Sequence, residues 1–165
     1  MSGARFLRLV VMRHAKSDHH QGLPDHARPL NARGRRDAPR VASRLQDLGW
    51  WPEEVFSSDS ARTMETWAAM AAASASPLEP LWTRRLYLAG WMPFAQVVGR
   101  AQAPTVLALG HNPGWEQVVE LLCGESVRLT TANAVLLRRE AVPWNIALEP
   151  DAWGLVDIVR PKDLV

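Results

Sequence analysis

The chain has 165 residues, of which 47% are hydrophobic and 22% charged, close to the averages of soluble globular domains, and this excludes a disordered chain. The formal net charge of +2 is too small to argue for a nucleic-acid partner. Cys123 is the single cysteine, which excludes an internal disulfide and a cysteine-rich metal site. No signal peptide is recognisable and no apolar run approaches the roughly 20 residues that span a bilayer, so we expect a cytoplasmic protein with no membrane partner.

The first part of the chain predicts a strand, a loop and a helix. Residues 6–12 form a mostly apolar run typical of a buried strand, and a polar string follows from Arg13 to His20. Asn31 is placed to cap a helix that continues at helical spacing to Leu48 and is closed by Gly49. Its arginines predict a solvated face: Arg33, Arg35, Arg36, Arg40 and Arg44.

The middle of the chain repeats this alternation. Residues 55–58 predict a second strand, and Asp59 or Ser60 would cap a helix over 61–73. Pro77 begins a new segment, in which 78–82 predict a third strand and 94–100 a short helix.

The last part of the chain contains the clearest strand and completes the fold prediction. Thr105 to Leu109 is apolar throughout, and Pro113 suits the first turn of a helix that runs to Gly124. Residues 134–137 and 154–159 predict two late strands that pair as antiparallel neighbours. We therefore predict one α/β domain over residues 1–165, a three-layer α/β/α sandwich with a mostly parallel central sheet and helices on both faces.

Basic residues follow three of these strands. Arg13 and His14 come after the first strand, Arg62 lies in the turn after the second, and His111 follows the strand that ends at Leu109. Ligands of open α/β sheets bind beyond the carboxyl ends of the strands, so these side chains should meet at one rim. A cationic cluster beside helix N-termini suits a phosphate group.

Three segments resemble the motifs of the histidine phosphatase superfamily, the phosphoglycerate mutase-like proteins. Arg13-His14-Ala15 is similar to its Arg-His-Gly signature, with alanine in place of glycine. Residues 57–66 are similar to the Ser-Ser-Pro-x-x-Arg-x-x-x-Thr segment, with Asp59 in place of proline, and residues 110–113 are similar to the second-histidine motif. The short length and the segment 25–31 resemble the SixA-like branch, which contains phosphohistidine phosphatases.

The resemblance implies a role for each of these residues. His14 would be the nucleophile that carries the phosphoryl group, Arg13 and Arg62 would bind its non-bridging oxygens, and His111 would donate to another oxygen. Arg28, by match to the branch, would be a third phosphate ligand. Fixed positive charges would supply the electrostatics, so no metal and no cofactor are expected.

The proton donor for the leaving group is the part of this scheme that the sequence does not supply. Relatives carry a carboxylic acid on an inserted segment or directly after the second histidine, where this chain has Asn112. Asp18 and Glu116 are the candidates that remain.

Several alternatives stay open at this stage. The histidine-dense segment that contains His14, His19, His20 and His26 could hold a metal, but its spacing matches no ligand motif. The partner would be a phosphorylated protein or a small phosphorylated molecule, so a phosphatase of small metabolites is an alternative to a phosphohistidine phosphatase. An inactive phosphate-binding module is a further alternative. Nucleic-acid binding is disfavoured because interleaved aromatic residues are absent from the arginine-rich helix.

Overall fold

The structure is a computed structural model that describes residues 3–76 and 78–164; the predicted segment start at Pro77 lies outside these residues. Six strands and five α-helices alternate along the described chain. Their bounds are β1 Phe6–Arg13, α1 Ala32–Asp47, β2 Glu54–Ser58, α2 Ala61–Ala71, β3 Leu81–Thr83, α3 Trp91–Val98, β4 Thr105–Gly110, α4 Gly114–Cys123, β5 Ala134–Glu140, α5 Trp144–Ala147 and β6 Gly154–Val159. Short 3-10 turns cover Asp25–Ala27, Arg84–Leu86 and Pro161–Asp163.

The strands form one mixed sheet in the order β3-β2-β4-β1-β5-β6. The pairs β2–β3, β2–β4 and β1–β4 are parallel, whereas β5 is antiparallel to both β1 and β6. The mostly parallel sheet and the antiparallel pairing of the last two strands are therefore confirmed.

Helices cover both faces of this sheet, as predicted. Alternate residues of β1 point to opposite sides, so Leu9 and Val11 pack with α3, α4 and α5 in one apolar cluster. Val10 and Met12 pack with α1 and α2 in the other. The three-layer α/β/α sandwich follows from this division of the core into two clusters.

The helix ends follow the predicted capping residues. The side chain of Asn31 accepts from the Gly34 N–H at 2.9 Å, and Ser60 rather than Asp59 caps α2. Gly49 adopts a φ of +76°, which is the left-handed conformation that commonly ends a helix.

Several boundaries differ from the predictions. Helix α3 covers Trp91–Val98 instead of residues 94–100, and β5 continues to Glu140 instead of ending at residue 137. Helix α2 ends at Ala71, two residues early, and β3 is only Leu81–Thr83 because it is an edge strand that pairs along one side. Pro113 immediately precedes α4 instead of lying in its first turn. Among residues 3–76 and 78–164, no helix is both long enough and apolar enough to cross a membrane.

Candidate active site

The carboxyl ends of parallel strands bring the predicted basic residues together. Arg13 ends β1 and lies opposite Gly110, which ends β4, so His14 and His111 leave neighbouring strands side by side. Their ring centroids are 5.4 Å apart. Arg62 is the second residue of α2 and not, as predicted, part of the preceding turn, because the helix begins at once after its Ser60 cap; its guanidinium reaches both rings.

The position of His14 is fixed by its backbone and by one ring nitrogen. Its N–H donates to the Gly110 carbonyl at 3.0 Å, and its own carbonyl accepts from Ala132 at 2.9 Å. Nδ1 lies 2.7 Å from the Ala15 carbonyl oxygen. Because a carbonyl oxygen only accepts, this network assigns the proton of the neutral ring to Nδ1 and leaves the lone pair on Nε2. Nε2 is therefore the atom that can attack phosphorus.

The surroundings keep the ring of His14 neutral. The residue is only 6% exposed. Burial, together with the charges of Arg62, Arg13 and Arg28, lowers the pKa of His14 to about 3, although the hydrogen bond to Ala15 opposes this shift. Nε2 of His14 is consequently unprotonated throughout the physiological pH range.

Arg62 is buried and donates along two edges of its guanidinium. Nε lies 3.3 Å from His14 Nε2, and Nη2 lies 3.3 Å from His111 Nδ1. On the other edge, Nη1 donates to the Asp25 carbonyl at 2.7 Å and Nη2 to Asp25 Oδ2 at 3.0 Å. The Nε–Nη2 edge therefore faces the two imidazoles, and the Nη1–Nη2 edge faces Asp25.

His111 is oriented by Ser58. Nε2 of this buried ring lies 2.8 Å from Ser58 Oγ. Because Arg62 donates to Nδ1, the network assigns the proton to Nε2, which donates to Ser58. Burial first, and then the neighbouring charges of His14 and Arg62, lower the pKa of His111 to about 3. Nδ1 is thus the nitrogen directed toward the other site residues.

A pocket of about 180 Å³ lies over these side chains. Its lining contains Arg13, His14, Lys16, Ser17, His19, Arg28, Arg62, Leu88, His111, Asn112 and Thr131. Among the described residues no carboxylate lines it. Arg13 donates from Nη1 to the Leu129 carbonyl at 3.1 Å, whereas its buried Nε has no partner in the described part of the chain. The pocket is therefore suited to an anion.

Arg28 lines the pocket but already uses its donors within the protein. Nε and Nη2 donate to Asp25 Oδ1 at 3.2 and 2.9 Å. Nη1 donates to Ser17 Oγ at 2.9 Å and to His19 Nδ1 at 2.8 Å. These contacts hold the loop before α1, and the role of Arg28 as a phosphate ligand stays a prediction.

Asp25 and Tyr87 belong to the same network, and the sequence analysis did not assign either to the site. Asp25 accepts from Arg62, Arg28 and the Tyr87 hydroxyl. The Tyr87 hydrogen bond, followed by those of the two arginines, holds the pKa of Asp25 well below its ordinary value. The Tyr87 ring meets His111 edge-on, with centroids 5.4 Å apart. Asp25 lies within the segment 25–31 that resembles the SixA-like branch, but no local sequence pattern predicts a role for Tyr87.

The two candidate acids both lie outside the pocket lining. The Asp18 carboxylate accepts from the His20 N–H at 2.7 Å and from Gln21 at 3.1 Å. Glu116 Oε2 accepts from the Leu129 N–H at 2.7 Å and from Asn112 Nδ2 at 3.1 Å. Glu116 therefore acts as a structural link between α4 and the segment that precedes β5.

The histidine-dense segment is divided among different contacts. His14 faces Arg62, His19 lies against Arg28, and His26 pairs with Asp59 at 2.7 Å. Within residues 3–76 and 78–164, no group of three or more His, Cys, Asp or Glu side chains is arranged to hold a metal ion.

Comparison with known proteins decides the family. The family model described as histidine phosphatase superfamily (branch 1) matches residues 9–86, which include His14 and Arg62. An uncharacterized chloroplastic protein of Arabidopsis thaliana is 34% identical over 173 aligned positions, covering 96% of this chain and 79% of that protein. The chain belongs to the histidine phosphatase superfamily.

Solved structures that are similar to this fold include SixA proteins and phosphatases of small molecules, among them a mycobacterial glucosyl-3-phosphoglycerate phosphatase with a TM-score of 0.62 and 17% identity, covering 92% of this chain and 97% of that one. A candidate phosphohistidine phosphatase SixA from Agrobacterium tumefaciens superposes with a TM-score of 0.78 and 24% identity, covering 94% of this chain and 98% of that one. The protein histidine phosphatase SixA complexed with tungstate gives a TM-score of 0.77 and 19% identity, with 95% and 99% covered. The predicted superfamily and its SixA-like branch are confirmed.

This histidine phosphatase accommodates each departure from the family motifs. The Ala15 side chain is fully buried in the α1–α2 cluster, and its N–H donates to Thr66 Oγ1 at 3.0 Å. Asp59, in place of proline, pairs with His26. Asn112, in place of an acid, donates to the Leu129 carbonyl at 2.7 Å. The first two departures therefore tie the loops around His14, and the third places an amide instead of a carboxyl directly after His111.

Proposed function

We propose that this histidine phosphatase hydrolyses phosphohistidine in proteins, through a phosphohistidine formed on its own His14. The observation that carries the proposal is the pocket lining, which holds cationic side chains and, among the described residues, no carboxylate. Such a site binds a phosphoryl group well and offers no carboxylic acid to protonate the group that leaves.

The first step transfers the phosphoryl group to the enzyme. Its oxygens are bound by Arg13 and Arg62. The neutral ring of His111 donates to a further oxygen in its other tautomer, with the proton on Nδ1 and the Ser58 hydroxyl donating to Nε2. The lone pair of His14 Nε2 forms the new P–N bond as the bond from phosphorus to the leaving group breaks. The leaving group departs with that electron pair.

The second step hydrolyses the phosphoenzyme. A water oxygen bonds to phosphorus, the P–N bond breaks, and its electron pair returns to Nε2 of His14. The water proton remains on the inorganic phosphate or passes to solvent. The same arginines face the phosphoryl group in both steps, so no rearrangement of the site is required.

Because no carboxylate among the described residues lines the pocket, the rate of transfer depends on how readily the leaving group departs without a proton. An alkoxide leaves poorly without a proton, whereas a phosphorylated imidazole can take a proton from solvent on its distal nitrogen and leave as a neutral ring. His19 lines the pocket, but the charge of Arg28 lowers the pKa of His19, so it is neutral at pH 7 and a poor acid. These properties favour phosphohistidine over sugar phosphates.

The size of the pocket supports a protein substrate. Sites that enclose small molecules usually occupy about 300–1,000 Å³. This pocket, at about 180 Å³, accepts a phosphoryl group and leaves the rest of the substrate outside. SixA in the similar structure is complexed with tungstate, a tetrahedral oxyanion, which supports phosphoryl binding here.

Two measurements test the proposal. The kcat/KM for a phosphohistidine-containing carrier protein should exceed that for phosphoserine peptides and sugar phosphates by on the order of 10² or more, because only the first leaves without an acid. Among aryl phosphates, the rate of the first transfer should fall steeply as the phenol pKa rises. A flat dependence would reveal a proton donor, and faster turnover of a sugar phosphate would favour the metabolite phosphatase.

We also propose that catalysis needs no metal, since the guanidinium groups of Arg13 and Arg62 supply the positive charge. Activity should then survive dialysis against EDTA. Loss of activity that one divalent ion restores would contradict this part of the proposal.

A further inference from the structure

Asp25 has contacts that its place in a loop does not explain. Its side chain is 48% exposed, yet three donor side chains converge on the carboxylate. Arg62 and the Tyr87 hydroxyl both donate to Oδ2, and Arg28 donates twice to Oδ1. The Asp25 backbone carbonyl also accepts from Arg62.

These contacts determine which edge of Arg62 faces the pocket and the two imidazoles. The backbone carbonyl and Oδ2 of Asp25 together occupy the Nη1–Nη2 edge, at 2.7 and 3.0 Å. A planar guanidinium bound along one edge has its orientation fixed, so the Nε–Nη2 edge is directed at His14 and His111. That edge is the one able to bind two phosphoryl oxygens next to Nε2 of His14.

We propose that Asp25 is a positioning residue that aims the Nε–Nη2 edge of Arg62 at the phosphoryl group. The proposal rests on the proposed function, in that Arg62 binds the transferring group beside the nucleophile His14. Asp25 acts through Arg62 and makes no contact with the substrate. Tyr87 and Arg28 hold the carboxylate in place from its other sides.

The carboxylate is required for this role, because an amide at the same position matches the donors poorly. Asparagine offers one oxygen and an NH₂ group, so at least one of the three converging side chains would face a donor. The contact from Arg62 Nη1 to the backbone carbonyl would survive in Asp25→Asn. The Nη1–Nη2 edge would then be held at one point instead of two, and the guanidinium would be free to rotate away from its present orientation without loss of the fold.

This role predicts opposite effects on binding and on turnover. A misplaced Arg62 guanidinium lowers kcat, and a misplacement of about 1 Å can cost on the order of 10² in rate. The Asp25 charge also repels a phosphate in the pocket, so its removal should leave KM and the dissociation constant of tungstate unchanged or lower. A non-specific disruption of the site would instead raise both KM and the dissociation constant of tungstate.

The test uses the full chain, an aryl phosphate substrate and tungstate calorimetry. We expect Asp25→Asn to lower kcat by on the order of 10 to 10² with no rise in KM. Tyr87→Phe, which removes one hydroxyl and keeps the ring, should lower kcat in the same direction by less. Asp59→Asn is the matched control, because Asp59 ties the same loop to α2 through His26 without contacting Arg62; it should keep the kcat of the wild type.

A double-mutant cycle shows whether Asp25 acts through Arg62. In the Arg62→Ala background, Asp25→Asn should change kcat by less than about 3-fold, because the group it positions is gone. Any of three results would overturn the proposal. These are an equal fold-change of kcat in both backgrounds, a rise in both KM and the tungstate dissociation constant of Asp25→Asn, and a wild-type kcat in Asp25→Asn. An inactive wild-type enzyme would instead contradict the proposed function, while tungstate binding would still report on the site.

Discussion

Nδ1 of His14 lies 2.7 Å from the carbonyl oxygen of Ala15, the next residue in the chain. This contact fixes the tautomer of the ring, so the lone pair stands on Nε2, toward Arg62 and the pocket. The proposed nucleophile, His14, is therefore oriented by the loop that follows β1. Replacement of this ring and of the groups around it gives testable consequences.

Removal of the nucleophile should abolish turnover. We expect His14→Asn to hydrolyse no phosphomonoester above about 1% of the wild-type rate, since the variant lacks the imidazole that would carry the phosphoryl group. His20→Asn is the matched control, because His20 is exposed and does not line the pocket. Residual activity of several per cent in His14→Asn, with a normal thermal melt, would contradict the assignment.

Loss of the buried guanidinium should slow the chemical step more than binding. Arg62→Ala removes a charge-assisted donor that strengthens as the phosphoryl group transfers, so kcat should fall by on the order of 10²–10³. Arg36→Ala, on the exposed face of α1, is the control. An effect confined to KM would mean that Arg62 binds only the ground state.

Glu116 should matter for stability and not for proton transfer. Glu116→Ala removes the acceptor of the Leu129 N–H and one of the two acceptors of Asn112 Nδ2, and a buried donor left without its partner costs about 1–3 kcal/mol. The free energy of unfolding from urea titration should fall, while the slope of rate against phenol pKa stays that of the wild type. Glu120→Ala, exposed on the same helix, is the control. A changed slope would show that Glu116 supplies a proton.

The two buried histidines should make the protein less stable in acid. Their pKa values are about 3 in the folded protein against 6.5 ordinarily, so between these values the unfolded chain binds more protons. Above pH 6.5 both rings are neutral in the folded and the unfolded chain, and the folded state has its full stability. That stability decreases as the pH falls from 6.5 toward 3, because protons bind to the unfolded chain. Each ring contributes up to about 1.4 kcal/mol per pH unit within that window.

Urea titrations at several pH values would measure this dependence. The free energy of unfolding of His111→Gln should fall less steeply below pH 6.5 than that of the wild type, because one titrating ring has been removed. Equal slopes would mean that His111 has an ordinary pKa in the folded protein. His14→Gln repeats the measurement at the second ring.

The sequence predicted the framework of this site through patterns that are local. The apolar run of β1 ends at Arg13, and a strand of a parallel sheet must deliver the next residue, His14, to the carboxyl rim. The apolar run of β4 delivers His111 to the same rim by the same rule. Family motifs then identified Arg62, which α2 places beside both rings.

Only the tertiary structure decided how those groups are held. Asp25 contacts Arg62 across 37 positions of sequence and Tyr87 across 62, and Ser58 contacts His111 across 53. Hydrophobic periodicity reports which face of an element is buried, and it says nothing about which polar side chains meet between distant segments. For the same reason Glu116 looked like a possible acid in the sequence and is a structural acceptor in the fold. The sequence by itself singled out the basic residues that meet at the carboxyl rim of the sheet. The packing of loops from different parts of the chain determined the tautomers, the charges and the orientation of these side chains.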